Sequence, residues 1–81
     1  MEIINNTNND LNYTVQMATD YQMSTMAPNT SRSFSASDLP PNNTSVQLTP
    51  VAVYGVMGSA QSWYYTNISD DQCVTFTVEV T

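Results

Sequence analysis

Lysine and histidine are absent from this 81-residue chain, and Arg32 is its one basic residue. Seven acids leave a formal charge of −6. A protein that holds DNA or RNA neutralises several phosphates with cations and releases their counterions. One arginine cannot do this, so nucleic acid is not an expected partner, and neither is an anionic lipid surface held by charge. The same gap removes most catalytic designs. General acid–base chemistry uses histidine, lysine, or a carboxylate, tyrosine or cysteine beside a matched partner. A serine or cysteine nucleophile here lacks its usual base. Two carboxylates can hydrolyse glycosides, but so short a chain leaves little room for a cleft. No catalytic residue is assigned, and the expectation is a protein that is not an enzyme.

Cys73 is the single cysteine, so no disulfide can form within the chain. Without histidine or clustered cysteines, zinc and haem sites are not expected, and no metal or cofactor is assigned. Asp70 and Asp71, with Asn67 and Ser69, offer oxygens to calcium. Their spacing fits no calcium loop, and turn chemistry explains the same residues. No run of about 20 apolar residues is present, as a membrane-crossing helix requires. The opening residues, Met1-Glu2-Ile3-Ile4-Asn5-Asn6, show neither the basic segment nor the apolar core of a signal peptide. The compartment stays open. Extracellular or particle-associated surroundings are slightly favoured, although scarce lysine suits protease-rich surroundings and a biased genome equally.

What the chain has is alternation. Between Cys73 and Thr81, Val74, Phe76, Val78 and Val80 point one way, and Cys73, Thr75, Thr77, Glu79 and Thr81 the other. That is the period of a half-buried strand. Ordering each residue costs about 1–2 kcal/mol of backbone entropy, which four apolar side chains do not offset alone, so the strand needs a sheet and an opposing layer. Glu2–Asn5 reads as a first strand. Leu11, Tyr13, Val15 and Met17 alternate with Asn12, Thr14, Gln16 and Ala18, and with a turn-forming Asn6–Asp10 between them the two segments read as a hairpin. Residues 20–26 are ambiguous, since methionine has little strand preference. Ala27-Pro28-Asn29-Thr30 reads as a turn with Pro28 at its second position. Ser31–Ala36 alternates, with Arg32, Phe34 and Ala36 on one face. Pro40 and Pro41 break the chain. Thr44–Thr49 reads as a strand with Val46 and Leu48 inward. Pro50 separates it from Val51–Met57, whose nearly continuous apolar character predicts a central strand covered on both faces. Gln61–Thr66 carries Trp63, Tyr64 and Tyr65, and Asn67–Asp71 turns the chain into the last strand.

No segment shows a convincing helical period. The fold class expected is all-β: a small antiparallel β-sandwich, or a small barrel, of about seven or eight short strands in one domain over residues 1–81. The opening pattern Ile4-Asn5-Asn6-Thr7, Leu11-Asn12-Tyr13, then Pro28 and Phe34, resembles the start of several small bacterial β-sandwich families, toxins among them. The resemblance implies the same fold class and carries over no functional residue.

Two candidate surfaces follow. Trp63 and Tyr65 share one face of their strand and Tyr64 takes the other, so one side enters the core and the other exposes a large ring. Flat rings beside Asn and Gln suit a glycan or a membrane interface. The plainer alternative is cross-strand packing that uses all three. The second surface is the polar side of the last strand, Cys73, Thr75, Thr77 and Glu79, read as an association face. Cys73 has acids and no cation near it in sequence, so a reactive thiolate is not expected, and a disulfide to another chain is the functional alternative. Asn-x-Ser/Thr patterns start at Asn5, Asn12, Asn29, Asn42, Asn43 and Asn67, and in an Asn-rich, Thr-rich chain they arise from composition.

A chain this short buries only about 60% of its unfolded surface, and small scaffolds without disulfides or metals commonly gain stability by oligomerisation. Sheet edges are usually guarded by lysine or proline. This chain has no lysine, and neither terminal strand has a proline; either the two termini pair with each other within the fold or at least one edge is open to another chain. The leading expectation is therefore a non-catalytic sandwich that associates with itself, as a homo-oligomer or part of a larger assembly. A glycan- or membrane-binding module is the alternative. A small acidic inhibitor of a basic protein is a third reading, and it rests on charge alone.

Overall fold

The computed structural model describes residues 1–40, 44–52, 54–66 and 68–77. The expectations for Asn42, Asn43, Asn67, Val78, Glu79 and Val80 lie outside them. Among the described residues seven strands are formed: β1 (Glu2–Asn5), β2 (Asp10–Gln16), β3 (Tyr21–Met26), β4 (Ser31–Ser33), β5 (Thr44–Val51), β6 (Gln61–Tyr65) and β7 (Cys73–Phe76), with one 3₁₀ turn at Ala36–Asp38. They make a three-stranded sheet, β4-β1-β7, packed on a four-stranded one, β3-β2-β5-β6. The expected small β-sandwich is the fold.

Period-two alternation decides which side chains meet. Leu11, Tyr13 and Val15 of β2, with Val46 and Leu48 of β5, are buried from the larger sheet; Ile3, Val74 and Phe76 are buried from the smaller one. Met1, Met26 and Leu39 complete the cluster, with Phe34, Trp63 and Tyr65 packed against it. Two edge-to-face ring pairs lie in this interior: Tyr13 on Phe34 (5.9 Å between centroids) and Trp63 on Phe76 (6.5 Å). The second joins β6 to β7, one strand from each sheet. Such pairs are worth about 0.5–1.5 kcal/mol beyond their burial.

The first two strands do not form the expected hairpin. β1 pairs with β4 and, in parallel, with β7, while β2 pairs with β3 and β5 in the other sheet. The physical reason is a buried polar network at the crossing. Asn5 Nδ2 donates to the Asn9 carbonyl (2.9 Å) and the Ala27 carbonyl (3.1 Å). The Thr7 hydroxyl donates to Asn5 Oδ1 (2.6 Å) and accepts from the Asn9 N–H (3.2 Å). Asn5, Thr7 and Asn9 are all buried. A buried amide must be bonded, and these bonds hold the loop across the gap between sheets instead of folding it back in one. The Asn5 pattern therefore belongs to the interior and is closed to a glycan in the folded chain.

The apolar run Val51–Met57 is not a central strand. β5 continues through Pro50 to Val51 and the chain then reverses. The Gly55 N–H donates to the Ala52 carbonyl (2.9 Å), with Gly55 at φ 84°, a conformation that side chains disfavour. Tyr54, Val56 and Met57 are left exposed. Pro50 is accommodated because its carbonyl accepts from Gly58 (2.7 Å) on the side away from β2. In an antiparallel strand the nitrogen of a residue points the same way as its carbonyl, so no donor to β2 is lost. The Pro28–Asn29 turn forms as expected, with Asn29 at φ 57° and the Thr30 hydroxyl on the Ala27 carbonyl (2.6 Å). Among the described residues no helix is long and apolar enough to cross a membrane.

Candidate functional site

The outer face of the larger sheet is assembled in cross-strand rows by its register. One row runs Tyr21, Gln16, Ser45, Tyr64; the next runs Met23, Thr14, Gln47, Ser62; the third holds Thr25, Asn12 and Thr49. None of these side chains is charged. Asp10 stands one row further out, opposite Val51. Within the rows, Ser45 Oγ donates to Gln16 Oε1 (3.4 Å) and Thr25 Oγ1 to Asn12 Oδ1 (2.7 Å). Met57 reaches this face, its sulfur 4.0 Å from Asn12 Nδ2.

Strand β3 is the least covered of the four strands in the larger sheet. Tyr21 is 62% exposed and Met23 72% exposed on the outer face. Gln22 and Ser24 lie opposite the buried Val15 and Tyr13, so they point inward, yet they too are exposed. Three strands cannot cover four, and β3 overhangs the smaller sheet. Only Met26 is buried. The strand is six residues long and holds no charge, proline or glycine. Sequence reasoning left this segment ambiguous. The one signal in it was a lack of charge, proline and glycine, the devices that guard an edge.

Trp63, Tyr64 and Tyr65 are divided by the pleat as expected. Trp63 and Tyr65 pack on the core, and Tyr64 is 70% exposed. They do not form one patch; the ring that shares a row with Tyr64 is Tyr21, at the opposite edge. Burial raises the Tyr65 phenol pKa above its usual value near 10.

The smaller sheet presents a different surface. Cys73 and Thr75 are exposed on β7, opposite Glu2 and Ile4 of β1, and Thr77 is exposed beyond the strand. Glu79 lies outside the described residues. The parallel β1–β7 pairing brings Glu2 beside Cys73, its carboxylate 4.0 Å from the sulfur. Both line a depression of about 520 Å³ together with Asp70, Asp71 and Phe34. Asp70 Oδ1 accepts from the Ala36 N–H (2.7 Å), which fixes it to the start of the 3₁₀ turn. Among the described residues no group of three or more potential metal ligands is present.

The chain matches no protein-family model, no curated protein and no solved structure. The functional reading therefore rests on this geometry.

Proposed function

We propose that this protein is a non-catalytic β-sandwich that acts by self-association, and that strand β3 is the edge through which copies meet. The observation that carries the reading is the exposure of β3 on both faces, in a strand that has a neighbour on one side only among the described residues. Its six residues offer about six backbone hydrogen bonds to an added strand, worth ~0.5–1.5 kcal/mol each in net terms. Association costs about 4–15 kcal/mol in lost translational and rotational freedom. Main-chain pairing alone therefore does not suffice, and side-chain burial has to complete it. Tyr21 and Met23 are the exposed side chains in position to do so.

The test is light scattering after size exclusion over a range of concentrations. The expected result is a mass above the 9.0 kDa of one chain that rises with concentration. Gln22→Lys with Ser24→Lys adds inward-pointing charges of the kind that natural edge strands use as guards. Neither residue contributes to the core, so the double variant should fold normally and run as a monomer. A wild-type chain that remains monomeric at millimolar concentration defeats the proposal.

A second reading is favoured by one observation, the Tyr21 and Tyr64 rings standing at either end of the Gln16–Ser45 row. Two exposed rings flanking amide and hydroxyl groups suit a neutral glycan. Tyrosine fluorescence and Trp63 emission unmoved by any neutral oligosaccharide, or shifted equally in Tyr21→Ala and Tyr64→Ala variants, would remove it.

A further inference from the structure

We infer that copies join head to tail, with β3 of one chain added to β6 of the next, so that the larger sheet continues from copy to copy. This rests on the self-association reading above and names the surface that β3 meets. The argument begins with strand direction. β2 is antiparallel to β3 and to β5, and β5 is antiparallel to β6. β3 and β5 therefore run one way, and β2 and β6 the other. A copy displaced along the sheet sets its β6 beside β3 in the antiparallel sense, and the order β3-β2-β5-β6 repeats without a fault. The uncharged outer rows continue across the junction.

The composition of the two edges agrees. β3 (Tyr21–Met26) and β6 (Gln61–Tyr65) are six and five residues long. Neither holds a charged residue, a proline or a glycine, the devices that ordinarily keep edges apart. β6 brings the exposed Tyr64 to the junction, and β3 brings the exposed Tyr21 and Met23.

Charge gives the direction. The turn 27–30 joins β3 directly to β4, which places β4 on the β3 side of the sandwich, and the Trp63–Phe76 contact places β7 on the β6 side. The one basic side chain, Arg32, lies in β4 and is exposed; Asp70 and Asp71 lie in the turn that leads into β7 and are exposed, with the Met1 ammonium near them on the Asp70 carbonyl. Head-to-tail stacking sets Arg32 of one copy toward the acids of the next. A two-fold β3–β3 pairing sets Arg32 toward Arg32. Exposed charges of this kind add little affinity, but they select orientation and register. A heterologous contact of this type repeats, closing into a ring or extending as a filament according to the rotation between copies.

The experiment uses two variants that each block one edge. The first is Gln22→Lys with Ser24→Lys on β3. The second is Ser62→Lys with Tyr64→Lys on β6, with Ser62→Lys alone as the milder form; both residues are exposed. Far-UV circular dichroism and Trp63 emission matching wild type establish the fold of each. Head-to-tail pairing requires that either variant alone be monomeric, and that an equimolar mixture form a two-chain particle and nothing larger, because each variant keeps the edge the other has lost. A β6 variant that dimerises alone overturns the inference in favour of two-fold β3 pairing, and leaves self-association standing. A mixture that stays monomeric while wild type associates overturns it also. A monomeric wild type removes the self-association reading and this inference with it.

Discussion

The two sheets treat their edges in opposite ways. The smaller sheet is bordered by β4, three residues long and carrying Arg32, and by β7, four residues long and entered through Asp70-Asp71. Short length and nearby charge both discourage an added strand. The larger sheet is bordered by β3 and β6, which are longer and uncharged, and β3 is bare on both faces. Among the described residues most of the charges are gathered around one layer, while the strands of the other hold only Asp10, with Asp20 in the turn that enters β3. On the proposed reading, a net charge of −6 says little about the surface through which copies would meet. What matters is where the acids are not.

The largest effect that bears on this comparison comes from the interior the two sheets share. Phe76→Ala removes a buried ring of the smaller sheet and its contact with Trp63 of the larger. A loss of about 3–5 kcal/mol is expected, read by urea unfolding, with Trp63 emission moving to the red. If only the smaller sheet lost amide protection while β2 and β5 kept theirs, the layers would be independently stable and the contrast between them would be one of separate units. Next in size is Asn5→Ala, which takes the amide donor from the Met26 and Ala27 carbonyls, while the Thr7 hydroxyl keeps its bond to the Asn9 carbonyl. Each unsatisfied group costs about 1–3 kcal/mol, less any water that fills the space. Unfolding should move by this order with the association mass unchanged; a lost assembly at unchanged stability would mean that the crossing, not the bare edge, controls it.

A smaller effect attaches to Tyr65. Burial raises its pKa, so the folded chain holds the phenol proton more tightly than the unfolded chain does. That contribution is fully present below the ordinary tyrosine value of about 10, and is lost as the pH rises through the folded value. Urea midpoints compared at pH 9 and pH 11 should fall for wild type and fall less for Tyr65→Phe; equal declines in the two chains would assign the loss to other groups. The smallest effect belongs to Arg32→Thr. At an exposed position of a three-residue strand, stability should stay within about 0.5 kcal/mol. Assembly should persist with weaker dependence on salt. A sharp rise in association on removing this cation would show that the short edge is guarded by charge rather than by its length, and would narrow the difference between the two sheets.

Much of the fold was legible because side-chain direction is a local property. Leu11, Tyr13 and Val15, then Val46 and Leu48, each sit on the side that alternation assigned them, and Trp63 and Tyr65 share a face opposite Tyr64. The Pro28–Asn29 turn was legible for an equally local reason, since proline presets one backbone angle and asparagine tolerates the next. Residues 51–57 were misleading because apolar character was taken as burial, whereas Gly55 and the continuation of β5 through Pro50 turn the chain outward first. The candidate edge was harder to see. Nothing in Tyr21–Met26 by itself states that the opposing sheet stops short of it.

Composition and pleat together determined that this chain is all-β and which side of its core strands faces inward. Those conclusions depend on neighbours in sequence and on sums over the chain. Only the tertiary structure decided that β1 leaves β2 for the other sheet, that Asn5 is an interior strut, and that Tyr21 shares its row with Tyr64. Pairing, register and coverage join residues tens of positions apart. Several partners satisfy a strand's alternation equally well, and the choice among them falls to contacts that exist only once the layers have packed.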